Sequence, residues 1–510
     1  MNFAVSSARS WASLSMIPPP SELLHHGQFM LGPRRPEQLP GWEGRPLANQ
    51  FWLTTHPTLP VTEVSDANHA LVLIGYVLDP AQPLADDRAI LQGLLTSCHS
   101  VEKLIASTCR LGGRWIMIAT CGDGIYLFTD ALGLRQVMYT QPADTGRVYA
   151  LSQPGLAMEV LGLTLDEEAA QFLDSHAFRT NPEYRWPGTS TPVHGLRHLL
   201  PNHFLDLHTG QTKRYWPAGP LPEVSLGDAL ERMTTIVPAL IRAAAHRFEL
   251  VLSLTSGVDS RLVLAAARSV KDEIGYITVR QAKMADDSAD LAVPARLLAR
   301  LGLSHEVIRA ASSMSPDFSR AFKRSVLFAH DHYGPDAEAI LARYGRRKAA
   351  MTGSGAEVGR CSFRKQLPFS DLRRITAKHL AWLQGMNHPY AIRFFSQWLV
   401  DAEERANINL LDLFEWEQGH GSWLAMTQLE FDIAWRDIFT PFNCRELLVT
   451  LLSVSERFRR SPGYALFHLA TRRLWLEVLS EPINPPGGRR LLQDGVSWLR
   501  RAWRAHALET

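Results

Sequence analysis

A chain of 510 residues, 46% hydrophobic and 20% charged, has ordinary globular composition and room for two domains with substantial cores. Its 53 Lys and Arg against 51 Asp and Glu leave a formal charge of +2, which argues against a protein that coats nucleic acid. Five cysteines, at 98, 109, 121, 361 and 444, lack CxxC spacing and point to a reducing compartment without a zinc site. The first residues are polar without a long apolar core, and no run of about 18 apolar residues occurs, so a cytoplasmic protein with no membrane partner is expected.

The first half has the punctuation of a β-rich domain. Residues 70–77 (ALVLIGYV) read as a buried strand ended by Asp79-Pro80, and residues 86–95 as a helix. Residues 113–119 and 125–129 form a plausible hairpin around Gly122-Asp123-Gly124, a strong turn signal. The block 130–139 follows, then Pro192 to Arg197, Leu200 to His203 and Arg214-Tyr215-Trp216-Pro217.

The second half opens on the most informative stretch. A β-prone run, 248–254, leads into Thr255-Ser256-Gly257-Val258-Asp259-Ser260-Arg261 and then an Ala/Leu-rich helix over 262–267. Strand, small-residue loop and helix make an anion site: backbone N–H groups converge, and the helix dipole adds partial positive charge. Thr255, Ser256 and Ser260 offer hydroxyl donors, and Gly257 permits close approach. Asp259 makes sense there if magnesium shares the site with phosphate. No Gly-Lys-Ser/Thr follows, so this is not a Walker loop. Residues 276–279 read as the next strand and 290–301 as a helix, followed by Gly302-Leu303-Ser304-His305. A short apolar lead-in, 349–351, precedes Thr352-Gly353-Ser354-Gly355-Ala356-Glu357-Val358-Gly359-Arg360. Residues 408–452 read as helical; Glu417 and His420 stand i, i+3 on one face, and Thr440-Pro441-Phe442-Asn443 closes the stretch. The basic amphipathic tail 498–504 reads as a helix packed on the domain.

These motifs, in this order, resemble the asparagine synthetase family, which includes asparagine synthetases, β-lactam synthetases and lasso-peptide cyclases. Residues 255–260 resemble its pyrophosphate-binding Ser-Gly-Gly-x-Asp-Ser, residues 352–357 its Ser-Gly-Glu-Gly-Ala/Ser-Asp, and 302–305 its Leu-Gly-x-x-His region. Residues 130–139 and 192–217 resemble the glutaminase domain that precedes the synthetase domain in glutamine-dependent members. The resemblance implies an α+β N-terminal nucleophile-type sandwich over 1–217 and an α/β ATP-pyrophosphatase domain over 218–510. It also implies ATP and Mg²⁺ as cofactors. Leu254 and Val279 would flank adenine, with Thr352 and Gly353 presenting backbone to it; Thr255, Ser256, Gly257, Val258, Asp259 and Ser260 would hold phosphates, and Asp259 and Glu357 the metal.

Several departures shape the expected activity. Glutaminases of this class use Cys at position 2; this chain has Asn2 followed by Phe3 and no Cys before Cys98. Ile74 stands where the family places an Asn oxyanion donor, and an aliphatic side chain cannot donate. The first domain is therefore expected to be inert toward glutamine. Glu357 replaces Asp, and the family's late Lys has no counterpart over 479–486, which leaves Arg261, or Arg489 and Arg490, as substitutes. Ser354 replaces the Glu or Tyr of known members, so the acceptor pocket differs; Glu417 and His420 are candidates for acid/base or amine-binding roles there.

Three functions follow. The first is an AMP-forming amide-bond synthetase that adenylates a small-molecule or peptide carboxylate and passes it to an amine or ammonia. The second is an ammonia-using asparagine synthetase in the strict sense. The third is a nucleotide-binding pseudoenzyme.

Overall fold

The computed structural model describes residues 20–485 apart from 49, 123, 364–365, 368–373 and 404–407. Asn2, Phe3, the turn residue Asp123, Arg489, Arg490 and the tail 498–504 thus lie outside the described residues.

Twelve strands build two antiparallel sheets in the first half. They are β1 (Phe29–Gly32), β2 (Glu43–Leu47), β3 (Phe51–Thr55), β4 (Val61–Ser65), β5 (Ala70–Leu78) and β6 (Gly112–Cys121). β7 (Gly124–Thr129), β8 (Met138–Thr140), β9 (Ala150–Leu151), β10 (Leu196–His198), β11 (His203–Asp206) and β12 (Thr212–Arg214) complete them. The orders are β10-β8-β9-β1-β3-β2 and β12-β11-β7-β6-β5-β4.

The period-2 alternation of strand side chains makes this a four-layer sandwich. Along β5, Val72 and Ile74 enter the core between the sheets, where they meet Phe29, Leu53 and Tyr139. Leu71, Leu73 and Val77 point outward onto α1 (Asp87–Leu95) and α2 (Val101–Ser107). The sequence signal for α1 holds to the cap: Asp86 accepts from the N–H of Ala89 at 2.8 Å. On the opposite outer face, α3 (Pro154–Leu161) packs through Leu156 and Ala157 against Met30, Met138 and Leu151.

After residues 215–225 the chain enters α4 (Leu226–Arg247) and a five-stranded, wholly parallel sheet. Its strands are β13 (Leu250–Ser253), β14 (Gly275–Arg280), β15 (Glu306–Arg309), β16 (Ala349–Met351) and β17 (Ile438–Phe439). Their order is β15-β14-β13-β16-β17. Strands buried on both faces need continuous apolar runs, and LVL at 250–252 is one. Leu250 and Leu252 pack on α4, α5 (Val258–Ala266) and α8 (Ala465–Leu474), while Val251, Ile277 and Ile308 pack on the helices over 316–344. β17 interrupts the stretch 408–452 that periodicity alone read as helical. The chain runs outward from β13 to β15, then returns to the other side of β13 as β16. That reversal opens a crevice at the carboxyl ends of β13 and β16, the place where open α/β sheets bind ligands.

The two halves are joined by buried charge. Arg114 on β6 donates to both oxygens of Asp432, at 2.5 and 3.0 Å, and to Asp437 at 3.3 Å. Arg135 donates to Asp437 at 3.1 Å, and the Tyr76 hydroxyl donates to the carbonyl of Ile438 at 2.9 Å. Asn443 completes the seam, accepting from the N–H of Leu132 at 2.8 Å and donating to the carbonyl of Gly113 at 2.6 Å.

Candidate functional site

Two loops meet in the crevice. The first, 254–257, leaves β13 and enters α5, whose first turn contains Val258, Asp259 and Ser260. The helix starts four residues before the Ala/Leu run suggests, because Gly257 takes the N-cap position. The second loop, 352–355, leaves β16. A Cβ on Gly353 would lie 2.8–2.9 Å from Asp259 and Ser260, so only glycine lets the second loop press on the first helical turn.

The loop hydroxyls are organised. Thr255 and Ser260 share a hydroxyl contact of 3.2 Å, and the Gly257 N–H donates to the Thr255 hydroxyl at 3.1 Å. Ser256 is held by Asp290, at the start of α6 (Ala289–Arg300): its N–H and hydroxyl donate to one carboxylate oxygen at 3.0 and 2.6 Å. Asp290 is a residue the sequence reading placed only as part of a helix.

At the centre stands a charged cluster. One guanidinium nitrogen of Arg360 lies 3.0 Å from Asp259 Oδ2 and 3.1 Å from Glu357 Oε1. Glu357 Oε2 accepts from the Gly355 N–H at 2.9 Å and lies 3.3 Å from His420 Nε2. His420 Nδ1 in turn meets the carbonyl of Glu415 at 3.0 Å. Burial and the neighbouring Glu357 charge push the Asp259 carboxyl up to about 8. Burial acts upward on Glu357 too, but the hydrogen bond from His420 and the charge of Arg360 outweigh it and hold Glu357 at about 2. The two carboxylates therefore titrate as a pair, Asp259 driven up and Glu357 held down. His420 is raised: burial opposes its charge, but Glu357 and Glu415 more than compensate.

Three buried polar atoms here lack a hydrogen-bond partner among the described residues: Asp259 Oδ1, Thr352 Oγ1 and Arg360 Nε. Each such orphan costs about 1–3 kcal/mol, and their concentration at one crevice marks a place built to receive a polar ligand. A magnesium ion fits in part. Asp259 Oδ1 is free to take one, whereas Glu357, the second expected metal ligand, is already committed to the Gly355 N–H, Arg360 and His420. Among the described residues no group of three His, Cys, Asp or Glu side chains is arranged around a metal position.

Other expected site residues lie elsewhere. Arg261 is wholly buried and donates to the carbonyls of Val478, Glu481 and Pro482 at 2.8, 2.9 and 3.2 Å. It points back into the protein, away from the loop, and fastens the segment 478–482; it is not the missing cation. Glu417 is also wholly buried, paired with both terminal nitrogens of Arg214 and accepting from Asn202 and from the Trp398 indole, each at 2.8 Å. It braces β12 against α7 (Pro389–Glu403) and has no oxygen left for a substrate. The face shared by Glu417 and His420 dissolves because residues Glu415–Leu424 form a π-helix, whose longer turn separates i, i+3 neighbours. Leu254 is buried in the core with α4 and α5, whereas Val279, half-buried near the end of the neighbouring strand β14, packs on the cluster of the other face. Ser354 is half-buried, and its carbonyl accepts from the Thr440 hydroxyl at 2.5 Å. In the first half, Ile74 is fully buried between the sheets.

A second cavity, of about 180 Å³, lies between β10–β12 and α7. Its charged lining residues Arg214, His203 and Asp401 are satisfied by one another and by Glu417.

No family model matches the chain, and no curated protein matches it. Among solved structures, one similar to it is described as the allosteric regulatory enzyme of purine biosynthesis, at 10% identity over 57% of this chain and 70% of that one, with a TM-score of 0.25. Another is glutamine phosphoribosylpyrophosphate amidotransferase from B. subtilis complexed with ADP and GMP, at 11% identity over 66% and 72%, with a TM-score of 0.23. At such scores neither likeness carries an argument about this chain. The described residues include no helix long and apolar enough to cross a membrane.

Proposed function

We infer that the crevice binds ATP and that the chain is an AMP-forming amide-bond synthetase of the asparagine synthetase type, working without glutamine hydrolysis. The observation that carries this reading is the meeting of the 254–257 and 352–355 loops at the sheet's switch point, with Asp259 Oδ1 unpartnered beside a cation. Thr255, Ser256, Gly257, Val258 and Ser260 would face the phosphates, and Thr352 and Gly353 would border the nucleotide on the β16 side. Magnesium, arriving on the nucleotide and held by Asp259, would neutralise charge on the leaving pyrophosphate. A carboxylate oxygen of the substrate attacks the α-phosphorus and pyrophosphate departs. An amine or ammonia then attacks the acyl carbon, AMP leaves, and the amine's proton is released.

The first domain is read as inert toward glutamine because Ile74, buried in the inter-sheet core, cannot donate to an oxyanion. That half is read as a degenerate N-terminal nucleophile scaffold, and the second as an ATP-pyrophosphatase domain.

The test is pyrophosphate release with Mg-ATP and a panel of small-molecule and peptide carboxylates, with and without amines. Release by the wild type that falls at least a hundredfold in Asp259→Asn supports adenylation, and the responding acid names the substrate. A second reading, a protein that binds nucleotide without turnover, is favoured by the way Asp290 already occupies the Ser256 N–H. It would be established by nucleotide binding with no pyrophosphate from any acid.

A further inference from the structure

Arg261 is turned away from the crevice, and Arg489 and Arg490 lie outside the described residues. Among the described residues, Arg360 brings a guanidinium to it. A single nitrogen of its guanidinium bridges Asp259 and Glu357, at 3.0 and 3.1 Å. Two carboxylates converging on one point in an opening at strand ends are what a divalent ion ordinarily requires. Here a guanidinium fills that point. The Tyr464 ring stands 5.7 Å from its central carbon and backs it in place. Its Nε–H is buried without an acceptor among the described residues, so the group has hydrogen-bonding capacity that the protein does not use. Around it lie Asp259, Glu357 and Glu415; burial opposes its charge, but these carboxylates more than compensate.

We propose that Arg360 is a resident cation: it takes the place of a divalent metal ion between Asp259 and Glu357, and offers the nucleotide phosphates a fixed positive charge. The first half of this statement stands on the geometry alone; the second rests on the nucleotide reading above. A guanidinium carries one delocalised charge and is covalently held, so it stays when pyrophosphate leaves. Asp259 Oδ1 would then be the atom left to hold magnesium that arrives with the nucleotide.

The test uses the full-length chain. Mn²⁺ titration followed by electron paramagnetic resonance, without nucleotide, compares wild type, Arg360→Lys, Arg360→Gln, Glu357→Gln and Arg360→Gln combined with Glu357→Gln. Thermal unfolding in the same buffer verifies that each is folded. Arg360→Gln is expected to bind Mn²⁺ at least tenfold more tightly than wild type, Arg360→Lys to stay near wild type, and the added Glu357→Gln to abolish the gain. Equal Mn²⁺ affinity across the folded variants overturns the proposal. So does a tight Mn²⁺ site in the wild type that Glu357→Gln removes, a result that needs no Arg360 variant to fold. ATP binding in excess EDTA forms the second arm, with at least a tenfold loss expected in Arg360→Gln against wild type; equal binding overturns the phosphate role. A wild type that binds no ATP even with Mg²⁺ defeats the functional reading, and the Mn²⁺ arm still decides whether Arg360 replaces a metal.

Discussion

At the scale of single residues, the crevice balances two carboxylates against one guanidinium, and this leaves a signature in pH. Asp259 is raised to about 8 in the folded protein, chiefly by burial and then by Glu357. A carboxyl whose folded value exceeds its unfolded one stabilises the fold at low pH, and that contribution is lost as pH rises through the folded value. Asp259→Asn removes the penalty. The difference in melting temperature between variant and wild type is therefore expected to grow from pH 5 to pH 8 and level off above, while pyrophosphate release is absent throughout. Thermal unfolding across that range checks it, and a difference that shrinks with rising pH would refute the assignment. Much of this cluster was legible in the sequence: Thr255 to Ser260 and Thr352 to Glu357 announce themselves by small residues and carboxylates after strands. Arg360 was not, since an arginine closing a glycine-rich run carries no sign of where its guanidinium will fold back. Nor was Asp290, which reads as an ordinary first-turn residue of α6.

At the scale of elements, the π-helix Glu415–Leu424 decides which side chain serves which site. It turns Glu417 onto Arg214 and His420 onto Glu357, whereas an α-helical wheel puts the two side by side. Helix type at this level depends on tertiary contacts that no periodicity encodes: the Trp416 indole donates to the Ala131 carbonyl at 2.7 Å, and a Cβ on Gly421 would strike Pro201 at 2.4 Å. Glu417 consequently belongs to stability. Replacing it with Ala leaves Arg214, Asn202 and Trp398 with unmatched buried donors, a loss of about 3–5 kcal/mol. Chemical denaturation should register that loss while pyrophosphate release per folded molecule stays near wild type. A collapse of specific activity in a folded Glu417→Ala protein would return the residue to the catalytic group. The strands were easier to read. Runs such as LVL at 250–252 and LVLI at 71–74 give their character away by composition, although β17, two residues long, gives none.

At the scale of the whole molecule, the seam between sandwich and parallel sheet is an ionic core. Arg114 and Arg135 face Asp432 and Asp437, all buried. Breaking such a pair from one side costs about 3–5 kcal/mol because a charge is stranded in low dielectric. Differential scanning calorimetry of the wild type is expected to show one transition; Arg114→Met should lower it and split it in two as the halves uncouple. A single unshifted transition in Arg114→Met would mean the seam contributes little. No sequence pattern pairs residues 114 and 135 with 432 and 437, since the partners are some three hundred positions apart.

The seam also sets what the first half does for the second. Asp432 and Asp437 precede β17, the edge strand beside β16, and β16 carries the loop that presses on Asp259. The sandwich thus works as a foundation under the crevice, and its arginines are the anchor bolts. A fragment beginning at 218 would leave two buried acids without the guanidinium groups of Arg114 and Arg135, with Arg346 as a nearby cation, and an edge strand without its support. The first half is mechanically indispensable to the second, and a chain cut between them is expected to lose the fold of its remaining half.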